Sequence, residues 1–277
     1  NGGFIFNREM VAKHAPKYQP NMRIGTTGCD GSGMRLGQSA GGAVSRMHKV
    51  SAWRFINPPQ PWVKGMVVNA QGERFCNEAS YGARLGVAMC ESSDGRAWLI
   101  IDSKLRRAAL KECLRGGLWG FQKYPAMLMM QFAPRAKSLP ALAKRLGIPV
   151  EPFCATAHRY NAAADAGNSD ALGKDTSSLQ ALQKPPYLAL DISAKNPMFP
   201  CPAITLGGLR VDESNGAVLN EAGLAIGGLY AAGRAAVGIA SNNYVSGLSL
   251  ADCLWSGRRA GAAIAATPNV TEKPNAA

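Results

Sequence analysis

Hydrophobic and polar positions along the chain follow helical spacing in some segments and strand spacing in others. Residues 8–14, from Arg8 to His14, predict a helix that Pro16 and Pro20 end. A Gly-rich stretch, residues 25–42, predicts a loop feeding a helix whose small residues Gly37, Ala40 and Gly41 permit close packing. Ser51 to Pro61 is Pro-rich and extended, as a domain boundary reads. A strand over 65–69, a turn over 70–72 and a return strand over 73–75 predict a hairpin. Next come a strand over 97–102 and a helix from 103 to 114, with Ser103 as N-cap and Gly116-Gly117 as its stop. Ser138 to Gly147 predicts a short amphipathic helix with Ser as its cap, Pro in its first turn and Gly at its end. Residues 154–166 predict another helix, 167–178 a polar surface loop, and 185–192 a strand. The final third shifts to strand-like runs at 203–211 and 228–231 around turn residues 212–216. A Gly/Ala/Ser-rich loop opened by Gly233-Arg234 follows, then a helix from Ser249 or Leu250 to about Ala266.

Composition narrows this picture. With 277 residues, 47% hydrophobic and 18% charged, the chain can bury a large core and form one big or two ordinary domains, which excludes disorder, collagen and fibrous coiled coil. Apolar runs fall short of the roughly 18 residues a membrane span needs. The net charge of +13 would attract polyanions, yet its basic residues are scattered and no nucleic-acid motif accompanies them. A basic but solvated surface with no nucleic-acid partner is the expectation. Seven widely spaced cysteines without a Cys-x-x-Cys pair argue against a disulfide framework or zinc site, and three scattered histidines against any other metal site. Reduced thiols point to a cytoplasmic protein. The opening Asn1-Gly2-Gly3-Phe4 lacks an initiator Met and reads as a start in mid-fold.

Several short motifs occur in one order along the chain. They are Gly2-Gly3-Phe4 with Asn7 and Glu9-Met10; Cys29-Asp30-Gly31; Asn69-x-x-Gly72-x-Arg74-Phe75-x-Asn77-Glu78; Thr205-Leu-Gly-Gly-Leu209; Gly228-Leu-Tyr-Ala-Ala-Gly-Arg234; and Ser256-Gly-Arg-Arg-Ala-Gly261. The set resembles the fumarate reductase and 3-oxosteroid dehydrogenase flavoproteins over nearly the whole chain. That resemblance implies an α/β FAD-binding fold of the Rossmann-like, glutathione-reductase type, incomplete at its N-terminus, with an inserted α+β cap. Residues 1–50 and 203–277 would belong to the FAD-binding domain and 51–202 to the substrate cap. FAD would be the cofactor, held by Gly3, Asp30, Gly207, Gly208, Arg234, Gly247, Ser249 and Leu250. A helix starting at Ser249-Leu250 would aim its positive dipole end at the flavin pyrimidine, and Gly207 and Gly208 would let backbone approach the ring.

Within this superfamily, fumarate reductases hold a dicarboxylate with arginines and histidines. The matching positions here are Gly82, Ile204 and Gly247, none of which can pair with a carboxylate. Phenols and hydroxyls stand nearby instead: Tyr81, and Tyr244-Val245-Ser246-Gly247. This resembles the 3-oxosteroid dehydrogenases, and the Tyr-x-Ser-Gly sequence is closer to the 4,5-desaturating branch. The implied reaction removes an α-proton next to a ketone and passes hydride to flavin, with electrons going on to an unidentified acceptor. Tyr81 or Tyr244 would take the proton, with Ser246 and the N–H near Gly247 supporting the ketone or the phenolate. Tyr81, Tyr244 and Gly247 would also contact the substrate, an apolar ketone of the steroid class. Two alternatives are a dehydrogenase of another organic acid using Arg84, Arg210 or Arg234, and a fragment without activity, since no Gly-x-Gly-x-x-Gly nucleotide turn occurs in the 277 residues.

Overall fold

The computed structural model describes residues 2–266. The chain divides into two compact units, one drawn from residues 2–19, 23–51 and 204–266 and the other from 20–22 and 52–203.

In the first unit, helix α1 (Arg8–His14) starts where the Asn7 side chain accepts the Met10 N–H at 3.0 Å, leaving Asn7 Nδ2 to donate to the Asp30 carbonyl. Helix α2 (Ser32–Ser39) follows Gly31, whose φ of +78° disfavours any L side chain. A β-carbon there would also fall 2.5 Å from Met10 Sδ. Val44–Ser45 pairs antiparallel with Gly208–Leu209, and Ala217–Leu219 with Ala225–Tyr230. Leu209, Val218, Ala231 and Ala236 form the apolar cluster beneath these strands. The predicted strand over 203–211 is two pieces, Pro202–Thr205 and Gly208–Leu209. It breaks at Gly207, which lies so close to the Arg46 carbonyl that a β-carbon would meet it at 2.6 Å. The strand expected at 228–231 is the longer Ala225–Tyr230.

The second unit is built on a four-stranded antiparallel sheet ordered Met66–Val68, Trp98–Ile101, Tyr187–Asp191, Arg135–Ala136. Val67, Leu99, Ile100 and Leu190 are fully buried, so successive residues are covered on both faces of the sheet. Around it lie α3 (Gly82–Ser93), α4 (Ser103–Arg115), α5 (Gly120–Phe132), α6 (Leu139–Leu146) and α7 (Val150–Ala166). Helix α6 has the predicted Ser138 cap and Gly147 stop. The cap of α4 is Asp102 rather than Ser103: its carboxylate accepts the Leu105 N–H at 2.9 Å and is fully buried. Helix α7 begins at Val150 rather than 154, because Pro152 sits in its first turn, where a missing N–H costs no helical bond.

The hairpin expected at 65–75 does not form. Asn69 Oδ1 accepts the N–H groups of Gln71 and Glu73, closing a local turn, and Met66–Val68 finds its partner in Trp98–Ile101 instead. Nor is 167–178 wholly a surface loop, since Lys174 is 0% exposed. Helix α8 (Leu248–Ala266) of the first unit matches the expected C-terminal helix, starting one residue earlier. Among the described residues no helix is long and apolar enough to cross a membrane.

Close packing gives a test of the second unit. A β-carbon on Gly86 of α3 would fall 2.0 Å from the Ala52 carbonyl oxygen. Alanine improves helix propensity by about 1 kcal/mol, but the clash is with backbone and costs about 1–3 kcal/mol or more. Gly86→Ala is therefore expected to lower stability in chemical denaturation, and an unchanged midpoint contradicts this packing.

Candidate functional site

In the first unit, residues distant in sequence meet. The Phe4 N–H donates to Thr205 Oγ1 at 2.9 Å, and the Gly31 N–H to the Gly3 carbonyl at 3.2 Å. Gly3 needs to be glycine because a β-carbon would lie 2.3 Å from Thr205 Oγ1. Asp30 Oδ1 accepts the Ser32 N–H at 2.9 Å at the start of α2, and this bond, seconded by the Ser32 hydroxyl, holds its carboxyl below the usual range. Gly207 and Gly208 both face protein backbone: at Gly208 a β-carbon would fall 2.7 Å from the Ala235 carbonyl. Close chain packing thus requires glycine at both positions.

Arg234 lies in the turn Gly233–Ala235, which rests on α8: the Gly233 N–H donates to Ser256 Oγ at 2.9 Å. Burial lowers the Arg234 pKa, opposed by the nearby Cys253 and Asp252. Its Nη2 would lie 3.5 Å from a β-carbon built on Gly3. At the start of α8, Gly247 has φ +85° and nothing within 4 Å of its missing β-carbon, while the Gly247 carbonyl accepts the Leu250 N–H. Two residues on, Ser249 Oγ is buried without a partner. This unit therefore presents a desolvated cation and a buried hydroxyl without a partner, together with the positive end of a 19-residue helix. Such donors suit a ligand rich in carbonyl oxygens and ring nitrogens, which the flavin of FAD is. Tyr244 is half-buried and Ser246 exposed in the loop before α8.

In the second unit, the Asn69 to Glu78 motif is bound into a buried ionic cluster that sequence reasoning did not assemble. Arg74 grips Glu78 through Nε to Oε1 (2.8 Å) and Nη2 to Oε2 (2.7 Å). Lys174 Nζ stands 3.0 Å from Glu78 Oε2 and donates to the Gly65 carbonyl at 2.7 Å and to the Tyr160 hydroxyl at 3.0 Å. Glu78 Oε1 also accepts the Val67 N–H at 2.8 Å. Burial pulls the Lys174 pKa down and pushes the Tyr160 phenol up. Three residues past Glu78, Tyr81 precedes α3 and meets the Phe55 ring edge-on at 5.5 Å with 37% of its surface exposed. Phe55, Trp62, Phe121, Met198 and Phe199 line a mostly apolar cavity of about 380 Å³. Arg54 braces one wall, donating to the carbonyls of Phe199 (2.7 Å) and Ser193 (3.1 Å) and stacking on Phe199. Arg84, exposed in the first turn of α3, belongs to this unit, and Arg210 to the first.

Asp170 ties the cluster to acid. Burial opposes its charge, but the Lys174 N–H and Arg74 outweigh that and hold its carboxyl below the ordinary range. A folded pKa below the unfolded one gives stability that is present above the unfolded value of about 3.9 and lost as pH falls through the folded value. Thermal midpoints should hold steady from neutral to mildly acid pH and drop below about pH 4. Asp170→Asn should lower the neutral midpoint and flatten the acid fall; parallel curves contradict the assignment.

The profile of the FAD binding domain family matches residues 1–250. The chain is 50% identical over 218 residues to the 3-oxo-5-alpha-steroid 4-dehydrogenase of Comamonas testosteroni, a match covering 78% of this chain and 41% of that protein. It is 28% identical over 273 residues to a fumarate reductase (cytochrome) of Shewanella frigidimarina, covering 94% and 43%. The chain thus spans less than half the length of these relatives. Among solved structures, it resembles the 3-ketosteroid-Δ4-(5α)-dehydrogenase of Rhodococcus jostii RHA1, solved with 4-androstene-3,17-dione. That match has a TM-score of 0.80 and 28% identity, over 96% of this chain and 52% of the other. The open form of a flavocytochrome c3 fumarate reductase shares the fold with a TM-score of 0.55 and 23% identity, over 94% and 44%.

Proposed function

This chain belongs to the FAD-binding domain family, and from that premise we propose that it forms part of a flavoenzyme that desaturates the C–C bond next to the ketone of a 3-oxosteroid. The observation that carries the reading is its half-identity to the Comamonas steroid dehydrogenase over 218 residues. The site residues agree with it. Tyr81 sits against an aromatic ring, beside an apolar cavity, where a dicarboxylate would need cations.

In this reading residues 1–50 and 203–277 form the flavin side, a Rossmann-like domain, and 51–202 the substrate cap. Arg234, Ser249, Gly247 and the Leu250 end of α8 hold FAD, with Gly3, Asp30, Gly207 and Gly208 shaping the backbone around them. FAD, when bound, supplies the acceptor for the hydride that leaves the β-carbon. The α-C–H bond breaks with its proton passing to the phenolate of Tyr81 or Tyr244. The Ser246 hydroxyl and the Gly247 N–H donate to the ketone oxygen or to that phenolate, spreading the charge that develops. An ordinary phenol, with pKa about 10, acts as a base only where such donors stabilise its anion.

The test is a substrate profile of the flavoprotein carrying these residues, with an artificial electron acceptor. The reading expects turnover of a 3-oxo-5α-steroid and none of succinate. Turnover of the dicarboxylate alone would overturn it.

A further inference from the structure

Two helices of the second unit carry complementary exposed stripes. On α5, Phe121, Tyr124, Leu128 and Phe132 fall at i, i+3, i+7 and i+11, and every one is exposed, Phe121 at 76% and Phe132 at 70%. Trp119, immediately before the helix, is 73% exposed. On α4, which packs against α5, Lys104, Arg107, Lys111 and Arg115 repeat the same spacing and are also exposed. Residues 103–137 hold eight Lys and Arg against a single acidic residue, Glu112. A solvated basic face explains the α4 stripe alone, but leaves a row of exposed aromatic rings unaccounted for.

Aromatic rings beside a basic row match the chemistry of an anionic lipid surface. Rings of this kind settle at the headgroup level, and basic side chains draw the helix toward negative lipids. We propose that the α4–α5 face docks the protein on the surface of an anionic bilayer. The inner side of α5 supports a purpose for this docking. There Gln122, Pro125 and Ala126, together with the exposed Phe121, line the apolar cavity next to Phe55, and Phe55 in turn meets Tyr81. An apolar ketone partitions into lipid, so docking here would place the cavity wall beside the phase that holds the substrate. That purpose rests on the steroid reading above; the docking itself does not.

Cosedimentation of the flavoprotein with vesicles tests the proposal, without steroid present, so that its failure is separable from failure of the enzymatic reading. Binding is expected to vesicles of phosphatidylcholine with phosphatidylglycerol, and to weaken on adding salt. It should fall about tenfold or more both in Trp119→Ser/Phe132→Ser and in Arg107→Gln/Lys111→Gln. These positions are exposed, and circular dichroism checks that each variant folds; if the aromatic variant does not, the charge variant and the salt titration decide. Absence of vesicle binding, or binding unmoved by the substitutions, overturns the proposal. So does concentration-dependent self-association lost in Trp119→Ser/Phe132→Ser, which would assign the stripe to a second copy of the chain.

Discussion

Turnover of a 3-oxosteroid is expected to fall by about 10²- to 10⁴-fold in whichever of Tyr81→Phe and Tyr244→Phe has lost the proton acceptor. The phenol at the other position would contact substrate without taking the proton, and its loss should then shift KM more than kcat. The pH profile separates the two roles. Only the base variant should lose the limb that reports ionisation of the group taking the proton. Both tyrosines sit where a substrate-facing role is physically reasonable, Tyr81 at the head of α3 against Phe55 and Tyr244 in the loop before α8. Full turnover in both variants would remove phenol chemistry from the account, and leave Tyr81 as a packing partner of Phe55.

The largest effect on stability is expected at Glu78. Its carboxylate accepts from Arg74 and from the Val67 N–H and faces Lys174, and both Glu78 and Lys174 are buried. Glu78→Ala leaves Lys174 without its ion-pair partner and Arg74 with Asp170 alone in a dry interior, where breaking one partner of a buried pair costs about 3–5 kcal/mol. Lys174→Met alone leaves the Glu78–Arg74 fork intact and should cost less. The pair Glu78→Gln/Lys174→Met should cost less than the sum of its single changes, because the two groups are in contact. Chemical denaturation measures all of these. A loss below about 1 kcal/mol in Glu78→Ala would show that the cluster is solvated in solution.

Sequence read some parts of this molecule well because the signals were local. Ser138, Pro140 and Gly147 bracket α6 with a cap, a first-turn proline and a left-handed stop, and the structure has all three. Helices α3 and α5 gave no such signal. Their caps are Tyr81 and Trp119, each helix opens on glycine, and α5 holds Pro125 within it. Its exposed aromatic stripe also blurs the apolar period that marks a buried face. Asp102 and Ser103 are both good N-caps, and only the burial of the Asp102 carboxylate decides between them. Lys174 was illegible for another reason. Its partners Gly65 and Glu78 lie far away in sequence, and a lysine amid polar residues ordinarily means a surface loop. The motif from Asn69 to Glu78 was visible as a motif, yet its physical work, closing a turn and filling a charge cluster, required the fold. Arg54 went unnoticed because its acceptors are backbone carbonyls, which carry no residue signature.

Arg234 and Ser249 were visible in sequence only through resemblance, and their chemical meaning lies in what surrounds them. One is a guanidinium whose pKa burial lowers, the other a buried hydroxyl without a partner. An oxygen-rich ligand at the start of α8 would satisfy the Ser249 hydroxyl. Chain packing in the same unit requires glycine at 207 and 208, so a substitution there disturbs the fold.

The most direct measurement is anaerobic mixing of the yellow flavoprotein with a saturating 3-oxo-5α-steroid, without any electron acceptor, while following its flavin absorbance. The account predicts bleaching by the steroid together with one equivalent of unsaturated ketone per flavin, and no bleaching by succinate. Bleaching by succinate, or a flavin unchanged by the steroid, would contradict it.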